Sequence, residues 1–220
     1  FHADCNVSGR TGVTLTKEFA KHALSRSQAN APVPRTSNTY ELPDTFVSLS
    51  RNLDAELYVR SVHAYDAYLS GRADIRYDFK RNRVVFIVKD GNKVVDAVGR
   101  AMDGRSPKWY RYGNSKCPFV SGNGERGACV VEDAASACSV SGVVAGVALL
   151  GTNLLEEHIQ HLSKYHRVFV ALDKDATDKA IDMVKTLCRI VPTKLMVLSR
   201  DFKNMTKDER DDYLRNYIDR

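Results

Sequence analysis

The 220-residue sequence predicts an α/β fold, a four-stranded parallel sheet with flanking helices, preceded by a smaller mixed α+β subdomain rich in basic residues. Three observations predict it. From residue 128 onward, short apolar runs alternate strictly with helical patterns, as in a doubly wound sheet. Ahead of them, two β-branched runs flank an Asp90-Gly91 pair, which favours a tight antiparallel hairpin. Further upstream, the stretch from Ser25 to Asp44 is rich in Ser, Asn and Pro, has almost no apolar periodicity and reads as an extended linker.

The elements follow in order. A short piece over residues 1–24 precedes the linker, set at 25–50. Leu57, Tyr58, Val62, Tyr65 and Tyr68 recur at three to four residues, which predicts a helix over 54–68. VVFIV at 84–88 and KVVDAVG at 93–99 form the hairpin, inside a basic subdomain set at 51–127. The last unit, 128–220, runs ACVVE, DAASACSVSG, VALLG, NLLEEHIQHL, RVFVALD, DATDKAIDMVKTLCR, KLMVLS and TKDERDDYLRNYI, strand and helix by turns.

Composition bounds the class. With 43% hydrophobic and 27% charged residues, the chain is neither disordered nor fibrous. Its longest apolar stretch, residues 140–150, is broken by Ser141, Gly142 and Gly146 and is far shorter than the ~20 residues of a bilayer span, so no membrane partner is expected. Five scattered cysteines without a signal peptide favour a reducing cytoplasm. Because the first residue is Phe, the chain is expected to be a fragment whose start lies upstream.

The net charge of +6 is unevenly placed: residues 72–116 hold 12 basic and 5 acidic groups. Cations interleaved with Trp109, Tyr110 and Tyr112 suit single-stranded nucleic acid, by phosphate neutralisation and base stacking. The plainer alternative is a solvated face on a half-buried aromatic hairpin.

In an open parallel sheet, ligands bind at the carboxyl ends of the strands. The first polar residues after the apolar runs are Glu132, Gly151, Asp173 with Asp175, and Asp201. Carboxylates converging there repel one another and call for a divalent cation, and oxygen-only ligands favour Mg²⁺ or Mn²⁺. The plainer reading makes Asp175 or Thr177 a helix cap and Asp201 a loop residue. Gly151 is either a turn residue or a point where backbone approaches phosphate closely.

Glu132 ending one strand, Gly151 the next and Asp173-Lys174-Asp175 a third resemble the signature of the Toprim fold, shared by bacterial and phage primases, topoisomerases and some nucleases. The pattern departs from the usual primase form at Asp133, where Gly is common, and at Ser136, where a second acid would stand. Asp201 resembles the late acid of primases, with Phe202 in place of Pro. The stretch 83–118 resembles the block preceding the Toprim fold in DnaG-type and phage primases: Arg83 opens a strand, Gly99-Arg100 ends the next, and Pro107-Lys108-Trp109 follows.

The resemblance implies a DNA primase core, a nucleotidyltransferase with DNA-directed RNA polymerase activity that makes short RNA primers on single-stranded DNA from NTPs in phage DNA replication. It implies Glu132, Asp173 and Asp175 as catalytic residues that, with Asp201, hold one or two Mg²⁺ or Mn²⁺ ions. Arg83, Arg100, Lys108, Trp109, Arg111 and Gly151 would bind nucleotide or template. A replicative helicase, fused or separate, is the expected partner in a primosome, and the host cytoplasm the expected location. A Toprim-type metal-dependent nuclease and a noncatalytic single-stranded-DNA-binding replisome adaptor are the alternatives.

His2 and Cys5 look like half of a zinc ribbon whose other ligands lay upstream, so zinc is expected only in such a ribbon and not in this chain. His158, His161 and His166 lack an acidic or Cys partner and read as surface-helix residues. Residues 122–127 fit G-x-G-x-x-G but precede a strand, the wrong context for a dinucleotide site, and read as a flexible loop from which Arg126 could still contact phosphate.

Overall fold

The computed structural model describes residues 39–151 and 153–219. The expected ribbon remnant over 1–24, with His2 and Cys5, and most of the linker lie outside them.

Two five-stranded sheets share one core. The first is an antiparallel meander in the order β1 (Phe46–Ser48), β2 (Ile75–Asp78), β3 (Arg83–Asp90), β4 (Lys93–Ala101) and β5 (Trp109–Arg111). The expected hairpin is β3–β4, with Gly91 at φ 58° supplying the left-handed turn residue. β1 and the 3-10 turn Leu49–Arg51 belong to this folded unit, so the expected linker boundary at residue 50 moves upstream.

Helices α1 (Leu53–Ser61) and α2 (Tyr65–Leu69) replace the single helix expected over 54–68. Asn52 caps α1 by accepting from the Ala55 N–H at 2.8 Å, while His63, at φ 56°, turns the chain between the two helices.

The second sheet contains β6 (Phe119–Ser121), β7 (Ala128–Val131), β8 (Ala145–Ala148), β9 (Val168–Val170) and β10 (Thr193–Leu195), in the order β10-β9-β7-β8-β6. All neighbours are parallel except β6, which pairs antiparallel with β8 and carries the sheet upstream of the expected boundary at 128. Helices α3 (Ala134–Val140), α4 (Glu156–Leu162), α5 (Thr177–Leu187) and α6 (Lys207–Ile218) complete the alternation.

Strand periodicity distributes this sheet between two layers. Val130, Val147, Val168 and Val170 face Leu162 of α4 and Ala180, Met183 and Leu187 of α5. Cys129, Val131 and Phe169 face the opposite core, with α3, Leu214 and Ile218 of α6, and Val84, Phe86 and Val88 of β3. All seven residues of α3 are buried and small or β-branched apart from Cys138. A Cβ at Gly146 would collide with the Ala137 carbonyl, so glycine is what lets α3 lie directly on β8.

The first sheet is organised by two fully buried carboxylates. Asp78 accepts from the Tyr112 hydroxyl at 2.6 Å and from the N–H groups of Lys80 and Arg81. Asp96 accepts from Arg111 Nε and the Gly113 N–H, each at 2.7 Å, and from the Ser115 N–H at 3.1 Å. Asp96→Ala leaves these donors without their acceptor and is expected to cost about 3 kcal/mol, read from urea denaturation.

Candidate functional site

The order β10-β9-β7-β8 places the topological switch point between β7 and β9. β7 leads through α3 to β8 on one side, and β9 leads through α5 to β10 on the other. Loops that leave adjacent strands in opposite directions open a crevice at the strands' carboxyl ends, where α/β sheets bind ligands. Glu132 follows β7 and Asp173 lies beyond β9, one on each flank of that crevice, with Val130 paired to Val170 just below.

Both acids are shifted upward. Burial, then the Asp173 charge, raises the Glu132 carboxyl above its ordinary range, with Asp133 and Asp175 adding to it. Asp173 is raised by burial, then by Asp201, Asp133 and Asp175. The structure therefore brings Glu132, Asp173, Asp175 and Asp201 into one electrostatic cluster.

Helix capping does not account for Asp173, Asp175 or Asp201. Asp173 precedes the 3-10 turn Lys174–Ala176 without a side-chain cap bond, and Ala176, not Asp175, is the residue ahead of α5. Asp201 precedes the 3-10 turn Phe202–Asn204, also without a cap bond. Asp133 is the capping acid, accepting from the Ser136 N–H at 2.8 Å at the start of α3.

Lys203 was not singled out by the sequence. Its Nζ donates to Asp133 Oδ2 at 2.8 Å and lies 2.5 Å from Asp201 Oδ2, while the Ser136 hydroxyl donates to Asp201 Oδ1 at 3.2 Å. Burial alone would lower the lysine's pKa, but the two carboxylates hold it above its ordinary value. A fixed ammonium thus neutralises one side of the cluster. Asp201, expected as a metal ligand, is committed to Lys203 and Ser136, which leaves Glu132, Asp173 and Asp175 on the other side.

These remaining donors are carboxylate oxygens with an excess of negative charge, the chemistry that suits a hard divalent cation. Among the described residues, no three His, Cys, Asp or Glu side chains are gathered closely enough to enclose an ion as they stand.

Opposite the cluster is the first sheet. The Tyr58 hydroxyl is pushed up to about 12, mainly by burial, and feels Arg100, Asp133 and Lys203, so α1 stands between the cluster and Arg100. The Arg100 guanidinium lies 6.0 Å from the Tyr58 ring centroid and 5.6 Å from that of Trp109, its register partner on β5. Its Nε is buried without a hydrogen-bond partner.

The other expected binding residues divide. Lys108 is exposed, as is Gly151, which has open space where a side chain would be. Arg83 turns inward: it is 3% exposed and donates to the carbonyls of Pro107 at 2.9 Å and Gly99 at 3.1 Å, so it clamps the loop between β4 and β5 instead of reaching a ligand. Arg111 is likewise taken by Asp96. Trp109 packs against Phe86, ring centroids 5.8 Å apart, and Tyr112 packs against Phe46 and bonds Asp78, so these rings support the sheet more than they offer stacking faces.

One smaller expectation also changes. His158 is buried, not on the surface, and its Nδ1 accepts from the Leu155 N–H at 3.2 Å. Arg126 forms an exposed ion pair with Asp219 at 3.0 Å.

No family model matches the sequence, and no curated protein is recognisably similar to it in sequence. Solved structures are similar in fold. The E. coli primase catalytic core is 18% identical with a TM-score of 0.55, over 93% of this chain and 74% of that one. A DnaG primase catalytic domain bound to ssDNA is 20% identical with a TM-score of 0.54, over 78% of this chain and 61% of that one. A DNA primase domain from Pseudomonas aeruginosa is 20% identical with a TM-score of 0.52, over 80% and 63%. The chain spans about three fifths of the length of the last two. At these identities the likeness is one of fold, and the fold class is the Toprim-type α/β of primase catalytic cores.

Proposed function

From that fold as premise, we propose that the chain is the catalytic core of a DNA primase, which joins NTPs into a short RNA primer on single-stranded DNA. The observation that carries this reading is the pair Glu132 and Asp173 flanking the switch point, each raised above its ordinary range by burial and then by neighbouring carboxylates. Glu132, Asp173 and Asp175 would hold Mg²⁺ or Mn²⁺. When bound, such an ion polarises a phosphoryl oxygen and lowers the pKa of an attacking hydroxyl.

The protein's own groups do the positioning. Lys203 compensates Asp133 and Asp201, so the cluster's negative charge is concentrated on the Glu132 and Asp173 side. Arg100, stacked on Trp109 with an unpaired Nε, meets nucleotide or template phosphate across the crevice, and exposed Lys108 extends that contact. Support for a single-stranded DNA partner comes from the DnaG neighbour bound to ssDNA. A phage source and a helicase partner fit the reading.

The test is product length. Incubation with Mg²⁺, labelled single-stranded DNA and NTPs is expected to give products that grow only with nucleotides. Shortening without nucleotides would assign a nuclease instead, and DNA affinity indifferent to metal and to the acids would assign an adaptor.

The basic residues separate in a salt titration of DNA binding. Arg100→Ala and Lys108→Ala are each expected to weaken binding and reduce the slope of log K against log salt by about 1. Arg83→Met is expected to lower Tm with the slope unchanged, because its guanidinium is bonded to carbonyls of its own chain.

A further inference from the structure

A second cationic site lies at the far end of α3. The helix begins beside the acidic cluster at Asp133 and, over its seven residues, carries the chain about 10 Å to Ser139 and Gly142. These residues form one wall of a hollow of about 270 Å³, closed by the corner between α1 and α2 and by α6 from Lys207 to Arg215. Four basic side chains line it, Arg72, Lys207, Arg210 and Arg215, against two carboxylates, Asp66 and Asp211.

Arg210 makes the hollow more than a charged surface. It is only 3% exposed, yet its Nε and Nη1 have no hydrogen-bond partner, and its nearest carboxylate oxygen, on Asp211, is 3.6 Å from Nε. Arg72 Nε, in the same wall, is also buried without a partner. Asp66 does not compensate them by a direct bond, since it pairs with Lys207 at 2.8 Å. A guanidinium withdrawn from water with two of its three nitrogens unmet is unfavourable, and an acceptor-rich anion is the complement it lacks.

We propose that this hollow binds a phosphoryl group, either as free phosphate or pyrophosphate or as the terminal phosphate of a nucleotide. Arg210 and Arg72 present several N–H donors from two directions, the fork geometry that suits phosphate oxygens. The two surplus positive charges match a phosphate dianion. The site stands apart from the switch-point carboxylates and does not depend on their assignment.

His63, also in the wall, supplies a direct reporter. Burial and the Arg210 charge lower its imidazole pKa, and Asp66 raises it. The other charged groups around the hollow are Arg72, Lys207, Asp211 and Arg215. An anion neutralising Arg210 removes one of the lowering influences, so the His63 pKa is expected to rise.

The experiment is an NMR titration of the His63 ring, assigned with His63→Gln, using inorganic phosphate, pyrophosphate and ATP in turn against chloride at equal ionic strength. The expected result is a saturable upward pKa shift, half complete at or below about 1 mM for the preferred ligand. Tighter binding of ATP than of pyrophosphate makes nucleotide the source of the phosphoryl group, and equal or weaker binding makes it the free anion.

Arg210→Met and Arg72→Met are expected to abolish the saturable shift. Arg210→Met is expected to change the Tm little, because the buried guanidinium it removes has only the long 3.6 Å ion pair with the partly exposed Asp211 in return. Arg215→Met, on the exposed side of α6, should weaken binding about tenfold and provides the test if Arg210→Met does not fold. No saturable response in the wild type, or a wild-type response in both Arg72→Met and Arg215→Met, would overturn the proposal.

Discussion

Asp173→Asn is expected to reduce nucleotide-dependent primer synthesis about a thousandfold or more while leaving single-stranded DNA binding near the wild-type level. The substitution keeps the size of the side chain and removes one of two negative charges flanking the switch point. The basic residues that would meet DNA are on the first sheet and are not altered. Primer yield and DNA affinity, measured on the same preparation, separate a lost site from a lost fold.

The variant should also be more stable than the wild type without divalent metal. Glu132 and Asp173 are both raised, mainly by burial and then by neighbouring carboxylates. Between the ordinary and raised values, the folded chain holds more protons than the unfolded chain, so stability falls as pH rises through that window. Above it the cost is fully present; below the ordinary carboxylate range it is gone. Asp173→Asn should therefore raise Tm at neutral pH, and the gain should disappear in acid. Mg²⁺ should raise the wild-type Tm at neutral pH and leave that of Asp173→Asn nearly unchanged.

Lys203→Met is expected to destabilise the metal-free protein by about 2 to 3 kcal/mol, read from the urea midpoint at constant m. It leaves the Asp133 and Asp201 carboxylates, 16% and 14% exposed, without their cation and beside Glu132 and Asp173. Saturating Mg²⁺ or a fall in pH should recover much of the loss, since either relieves the same repulsion. Lys203→Arg should lose less. An unchanged urea midpoint in Lys203→Met would mean that the two ion pairs do not hold the cluster together.

Much of the architecture was legible because it rests on local periodicity. The Asp90-Gly91 turn, the alternation of Cys129 and Val131 with Ala128 and Val130, and the spacing of Ala180, Met183 and Leu187 each reflect one element facing one core. The strand-end rule located Glu132 and Asp173 because sheet topology alone places the carboxyl ends of parallel strands on one edge.

What was not legible depends on partners distant in the chain. Lys203 acquires its role from Asp133, 70 residues upstream. Arg83 and Arg111 look like surface cations until the Pro107 carbonyl and Asp96 are seen to take them inward. β6 has only three residues between Pro118 and Gly122, too few to show a period, and its sheet is chosen by pairing with β8. The break at His63 turns on a single left-handed residue within an otherwise helical pattern.

The carboxylates at the switch point form a divalent-cation site if Mn²⁺, titrated into the metal-free protein and followed as free ion by electron paramagnetic resonance, is taken up there. The expected result is saturable binding that Mg²⁺ competes away, that Glu132→Gln and Asp173→Asn each sharply weaken, and that Asp96→Asn leaves intact if it folds. Wild-type Mn²⁺ binding in both switch-point variants, or no saturable binding in the wild type, would rule the metal site out.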